Sequence, residues 1–244
     1  MNIHVLKTPK ELGACAASRA AGLLRETIDK KGSARLLLST GASQFETISH
    51  LIKEKVDWSK VEMFHLDEYV GLPEKHKASF RAYLKKRFTS KVQLKAAHFV
   101  NGEGDVNATI AALNKEIAKA PIDVGIIGIG ENAHIAFNDP PADFEIKKSF
   151  FLVKLDKKCK QQQVREGWFA SEAEVPPTAI TITPYAIMKC RHIISSVPFS
   201  VKADAIQNTL TKKVDPRIPA SILKTHPDWH LYLDRESAAK VFSL

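Results

Sequence analysis

Short β-branched runs alternate with longer segments of helical period along most of this chain, and that alternation predicts a sheet with parallel crossovers. Strands are expected at residues 3–6, 35–39, 61–66, 98–100, 122–129, 150–155, 179–183, 192–197 and 230–233. The run Ile122-Asp123-Val124-Gly125-Ile126-Ile127-Gly128 is short, apolar and glycine-punctuated, as suits a parallel strand buried on both faces. Between strands, residues 106–118 put Ile110, Leu113 and Ile117 on one helical face, and residues 200–210 do the same with Val201, Ala205 and Leu210. Thr8-Pro9-Lys10-Glu11 combines a capping hydroxyl, a first-turn proline and a glutamate at capping-box spacing. The helix it opens should run to about Lys31 and stop at Gly32. Ser43 and Glu46 repeat the spacing, so a second capped helix is expected directly after a glycine loop. The predicted fold class is α/β: a three-layer α/β/α sandwich with a mostly parallel, Rossmann-like sheet. One domain over residues 1–244 is expected, with Pro140-Pro141 and Pro176-Pro177 as loop corners.

Composition sharpens this picture by exclusion. With 44% hydrophobic residues in 244, the chain can bury a sizeable core, which sets disorder aside. No apolar run approaches the ~18 residues of a membrane span. The apolar stretch at 12–24 is broken by Arg19 and has no basic leader or processing site, so a cytoplasmic, non-membrane protein is expected. Cys15, Cys159 and Cys190 are odd in number and contain no Cys-x-x-Cys pair; neither a disulfide framework nor a zinc site is implied, and they read as ordinary, partly buried residues. A net charge of +9 would suit an anionic partner. The lysines are nonetheless scattered, with short clusters only at Lys157, Lys158 and Lys160 and at Lys212 and Lys213, the pattern of solvated helix faces. No helix-turn-helix, zinc-finger or RNA-binding signature is present, so nucleic acid is not expected as a partner.

Candidate chemistry gathers at the predicted carboxyl ends of strands, the edge where open α/β sheets bind ligands. At Thr40-Gly41-Ala42-Ser43, a strand-to-helix turn offers unpaired N–H groups to a phosphate. In Phe64-His65-Leu66-Asp67-Glu68-Tyr69-Val70-Gly71, two adjacent carboxylates follow a strand. One can point into the crevice, where desolvation would lift its pKa toward the working range of a proton carrier. His65 has no assigned role. The stretch Gly128-Ile129-Gly130-Glu131-Asn132-Ala133-His134-Ile135-Ala136-Phe137-Asn138-Asp139 supplies a histidine able to exchange protons near neutrality, with Asp139 to orient it. Finally, Lys202 falls in the first turn of a helix after Val197-Pro198-Phe199, where a cation opposes the helix dipole unless an anion lies nearby.

These blocks resemble the glucosamine-6-phosphate deaminase (isomerase) family, part of the group that also holds 6-phosphogluconolactonases. The anchors are Thr40-Gly41, Leu66-Asp67-Glu68-Tyr69-Val70-Gly71-Leu72, Gly128-Ile129-Gly130 with His134-Ile135-Ala136-Phe137-Asn138, Lys202-Ala203 and His226-Pro227. The resemblance implies that Asp67 is the base moving a proton between C2 and C1 of an open-chain amino sugar, and that His134 assists ring opening with Asp139 in support. It further implies that Lys202 and Thr40 to Ser43 cradle phosphate, that no cofactor or metal is needed, and that the partner is a small amino-sugar phosphate. A homo-oligomer is compatible with it. The chain departs from the family pattern in carrying Asn132 for an aspartate, Ala133 for a glycine, Asp139 for a glutamate and Gln163 for the phosphate-binding arginine, with Arg165 two residues on as a substitute. A galactosamine 6-phosphate enzyme, a 6-phosphogluconolactonase and a non-catalytic sugar-phosphate sensor are the alternatives.

Overall fold

In the computed structural model, which describes residues 1–242, seven parallel strands form the central sheet. In chain order the strands are β1 (Asn2–Leu6), β2 (Ala34–Leu38), β3 (Val61–His65), β4 (Asp67–Tyr69), β5 (Ala96–His98), β6 (Val124–Ile126), β7 (Phe150–Lys154), β8 (Thr178–Ile182), β9 (His192–Val197) and β10 (Trp229–Asp234). The helices are α1 (Pro9–Lys31), α2 (Phe45–Leu51), α3 (Phe80–Leu84), α4 (Val106–Ile117), α5 (Lys157–Arg165), α6 (Pro184–Ile187), α7 (Ala203–Thr211) and α8 (Arg235–Ala238). The sheet runs β1-β10-β9-β6-β2-β3-β5, with every pairing parallel. Alternation along the strands sends Leu36, Leu38, Val124 and Ile126 to one face, against Ala16, Ala17, Ala20 and Ala21 of α1. Leu37, Phe64, Ile193 and Leu233 go to the other, where Ile206 of α7 and Leu113 of α4 cover them. The expected mostly parallel, layered α/β architecture is therefore present. Among the described residues no helix is long and apolar enough to cross a membrane.

Two expected strands lie elsewhere. β7 and β8 leave the parallel sheet and pair antiparallel, with β4 on the far side of β8, in a separate sheet ordered β4-β8-β7. After the buried Phe150, β7 runs through half-buried and exposed positions, unlike a parallel strand covered on both faces. The expected strand at 61–66 ends at His65. Leu66 carries the chain across, its carbonyl accepting from Ile182 N at 2.9 Å, and Asp67 starts β4 on the small sheet. The expected strand at 122–129 likewise stops at Ile126.

Local signals fared unevenly. Thr8 caps α1 and Gly32 ends it with φ 78°, although the Glu11 carboxylate accepts from Lys7 N rather than from the cap residue. Ser43 caps nothing: Ala42–Gln44 form a 3-10 turn with no capping side chain, and α2 begins after it at Phe45. Cys159 and Cys190 are buried, but Cys15 is exposed.

The period-two geometry of β4 separates the neighbouring carboxylates. Glu68 is fully buried and accepts from Ser79 Oγ at 2.8 Å, Arg81 N at 2.9 Å and Arg81 Nε at 3.3 Å. Arg81 is itself buried and reaches on to Glu103 at 2.8 Å and the Leu72 carbonyl at 3.0 Å. Glu68 thus anchors α3 to the small sheet. Replacing it by glutamine removes the one fully buried carboxylate among the partners of Arg81, so Glu68→Gln should lower the unfolding free energy by about 3 kcal/mol in urea; a loss below about 1 kcal/mol would refute this anchoring role.

Candidate active site

A cavity of about 440 Å³ opens where the carboxyl ends of β2, β3, β6 and β9 meet the small sheet. Its floor on one side is the turn after β2, and Thr40, Gly41, Ala42 and Ser43 all line it. Gly41 holds φ 97°, a conformation that L side chains rarely adopt, and its carbonyl accepts from Tyr83 OH at 2.9 Å. Gln44 behind the turn is buried and donates to the Ser196 carbonyl at 3.1 Å, tying the turn to β9. With no side chain capping it, this turn keeps its first N–H groups available for an anion.

Asp67 lines the same cavity and is 6% exposed. No cation pairs with it among the described residues. Burial, reinforced by the negative charge of Glu68 and eased slightly by the nearby Phe137 N–H, pushes its carboxyl up to about 8. It is therefore poised to hold or release a proton near neutrality. His65, which ends β3, is fully buried with neither ring nitrogen hydrogen-bonded; burial, with a contribution from Arg81, drives its pKa down to about 3, and it does not line the cavity.

His134 stands on a tight loop after β6. Ala133 and Ala136 adopt φ 65° and 50°, left-handed values that cost an alanine roughly 1 kcal/mol relative to glycine. The loop is closed by Gly130 N donating to His134 O at 2.9 Å and anchored by Ala220 N donating to Ala133 O at 2.8 Å. The imidazole lies over Gly130 and faces the cavity, while its Nδ1 turns inward, 2.6 Å from Asn132 Oδ1 and 3.3 Å from Asp139 Oδ1. Asn132 and Asp139 do not line the cavity and stand behind the histidine. Burial would raise the Asp139 pKa, but the hydrogen bond and charge of His134, with Asn132, outweigh it and hold the carboxyl below its usual range.

Lys202 completes the opposite wall. It is 7% exposed, forms no ion pair among the described residues, and has its pKa lowered by burial against the opposing pull of Glu166 and Glu131. The preceding Phe199 sits at φ 82°, held by its N–H donating to Asp234 Oδ2 at 3.0 Å. Gln163 lines the cavity but its Oε1 accepts from Tyr69 OH at 2.8 Å, which fixes the end of α5 to β4. Thus Thr40, Gly41, Ala42, Ser43, Asp67, His134, Gln163 and Lys202 converge on one cavity. Sequence reasoning missed Glu131, which pairs with Arg165 across the mouth, and the apolar rim of Phe80, Trp168, Phe199 and Val201. Only the non-glycine strain at Phe199 marks that rim as special, and it is invisible without coordinates.

The matched family model is that of the glucosamine-6-phosphate isomerases/6-phosphogluconolactonase, over residues 7–231. The chain belongs to this family. A glucosamine-6-phosphate deaminase of Bacillus cereus (strain B4264) is 32% identical over 238 residues, covering 97% of this chain and 88% of that protein. Among solved structures, a monomeric glucosamine-6-phosphate deaminase superposes with a TM-score of 0.89 at 29% identity, covering 98% of this chain and all of that one. The 6-phosphogluconolactonase of Trypanosoma brucei shares the fold, with a TM-score of 0.82 at 16% identity over 99% of this chain and 98% of that one. Enzymes of both branches of the family thus share this architecture.

Gly130 offers a direct probe of the histidine. A Cβ there would lie 2.1 Å from Cε1 of His134, so Gly130→Ala must displace the ring. Turnover should fall on the order of 100-fold, the scale of a ~1 Å misplacement, while the thermal midpoint moves little. Unchanged turnover would show that the position of His134 does not matter to the reaction.

Proposed function

We propose that this chain isomerises and deaminates an amino-sugar 6-phosphate, converting glucosamine 6-phosphate and water to fructose 6-phosphate and ammonia. The observation that carries the reading is Asp67: a buried, unpaired carboxyl with its pKa near 8 in the wall of a cavity that also holds His134 and Lys202. Hydrolysis of a lactone has no need for a base that returns its proton to a neighbouring carbon, whereas an aldose-ketose isomerisation does.

In this mechanism His134 accepts the proton of the C1 hydroxyl as the pyranose opens and returns one to the ring oxygen. Asp67 then takes the C2 proton while the C2 ammonium gives one of its protons to O1, leaving an enolamine, and the Asp67 carboxyl delivers the C2 proton to C1. The resulting C2 imine is attacked by water and collapses with loss of ammonia, leaving the ketose. Each general acid-base step contributes typically ~10²–10⁴-fold. Lys202 and the Thr40 to Ser43 turn hold the 6-phosphate, a role supported by a buried cation facing uncapped N–H groups. Arg165, which lines the cavity and pairs with Glu131, would supply a second cation where Gln163 has none. Galactosamine 6-phosphate differs from glucosamine 6-phosphate only at C4, and the glucosamine substrate is favoured by the deaminase relatives.

The reading is tested by following ammonia and fructose 6-phosphate from glucosamine 6-phosphate, with galactosamine 6-phosphate and 6-phosphogluconolactone in parallel. Equal release of both products from glucosamine 6-phosphate supports it; lactone hydrolysis alone, or binding without turnover, refutes it. Asp67→Asn should abolish turnover while phosphate-ligand affinity changes less than about threefold, since an amide keeps the shape and cannot take the proton.

The raised pKa also sets pH dependence. The base works ionised, so kcat/KM should climb with pH toward about 8 and then level. The same shift has the opposite sign for stability. A folded pKa above the unfolded one means the folded state binds the extra proton, so the penalty appears as pH rises through the unfolded carboxylate range and is complete above about 8. Asp67→Asn should therefore raise the thermal midpoint at pH 8 and leave it nearly unchanged at pH 4. A lower midpoint at pH 8 would contradict the assigned shift.

A further inference from the structure

The side chain of Asn132 touches three partners at once. Its Oδ1 accepts from His134 N at 3.1 Å and lies 2.6 Å from His134 Nδ1, while its Nδ2 donates to Asp139 Oδ1 at 3.0 Å. Turning the amide over would set its NH₂ group against the His134 backbone N–H and its oxygen against a carboxylate, so only one orientation is chemically allowed. The oxygen that meets Nδ1 is purely an acceptor, and Nδ1 must therefore carry a hydrogen. Asp139 Oδ2 is buried beside the Cys159 thiol, while Oδ1 meets both the amide and the imidazole.

We propose that Asn132 is a positioning residue that relays the single negative charge of Asp139 to His134 and fixes the imidazole with its proton on Nδ1 and its lone pair on Nε2. Nε2 is the nitrogen left to exchange a proton with a ligand in the cavity. The inference rests on the ring-opening role given to His134 above, and it changes the meaning of the departure at this position. An aspartate at 132 would not restore a missing charge. It would bring two carboxylate oxygens to the 3.0 Å now spanned by a hydrogen bond, and like charges that close cannot both stay ionised. The amide at 132 and the short carboxylate at 139 form a matched pair. Exchanging both, as N132D/D139N, keeps one charge and one amide: the carboxylate now at position 132 would accept from Nδ1, and the amide now at position 139 would donate to the other oxygen of that carboxylate.

Three variants and one spectrum test this. In the free wild-type protein, ¹⁵N NMR of the neutral His134 ring should report the Nδ1–H tautomer, whatever the substrate proves to be. N132D should lower kcat for glucosamine 6-phosphate at least about tenfold and reduce the thermal midpoint, and N132D/D139N should recover kcat to within about threefold of wild type. D139N alone should be impaired and should not match the double exchange. The Nε2–H tautomer in the wild type would overturn the proposal, as would N132D equal to or better than wild type, or a double exchange no better than N132D. If N132D does not fold, a folded and active double exchange supports the pairing and an unfolded one overturns it. A wild type inert toward amino-sugar 6-phosphates would remove the ring-opening reading, and the tautomer and thermal midpoints would still decide the relay.

Discussion

The site depends on one separation of charge. Asp67 and Glu68 are chain neighbours, and on the pleated β4 they face opposite ways. Glu68 is met by Ser79 Oγ, by backbone N–H groups and by the buried Arg81, and it serves as an anchor. Asp67 faces a cavity in which no cation among the described residues reaches it, and the fixed charge of its neighbour adds to its desolvation. A network that satisfied both carboxylates would give a more stable protein with no proton carrier. The Asp67 carboxyl illustrates how a group whose environment destabilises its charged form becomes useful near neutral pH.

Around that carboxyl, local strain gathers at the cavity. Among the described residues, the three non-glycine positions with positive φ are Ala133, Ala136 and Phe199, and all lie within the loops that present His134 and Lys202. Such conformations cost roughly 1–3 kcal/mol each unless the surroundings enforce them. Here the enforcing contacts are visible: Ala220 N on the Ala133 carbonyl, Thr181 Oγ1 on Phe137 N, and Asp234 on Phe199 N. All three come from other segments of the fold. The Pro219–Thr225 turn, the small sheet and β10 thus hold the loops in shape.

Much of this was legible in the chain and some was not, for identifiable reasons. The central strands β2, β6 and β9 are covered on both faces, and the short apolar stretches Leu36-Leu37-Leu38, Val124-Gly125-Ile126 and Ile193-Ile194 mark them. The convergence of Thr40 to Ser43, Asp67, His134 and Lys202 follows from parallel strands that end on one edge. The antiparallel pairing of β7 and β8 was not legible, because a five-residue run does not announce its partner and Phe150-Phe151-Leu152-Val153 carries no polar alternation. Ser43 and Glu46 matched a capping box by spacing, but the hydroxyl meets the Gln44 amide at 3.0 Å and the turn is 3-10. Gln163 looked like a lost phosphate contact. Its partner, Tyr69, is 94 residues away in sequence, beyond the reach of any spacing argument.

The central claim is that one buried carboxyl carries hydrogen from C2 to C1. The most direct measurement uses glucosamine 6-phosphate labelled with deuterium at C2, with the fructose 6-phosphate formed in ordinary water examined for label at C1. A buried base that exchanges slowly with solvent should deliver part of the label to C1, and breaking the C2–deuterium bond should slow turnover. Fructose 6-phosphate formed with no label at C1 and no isotope effect would contradict the account and move the proton transfer away from Asp67.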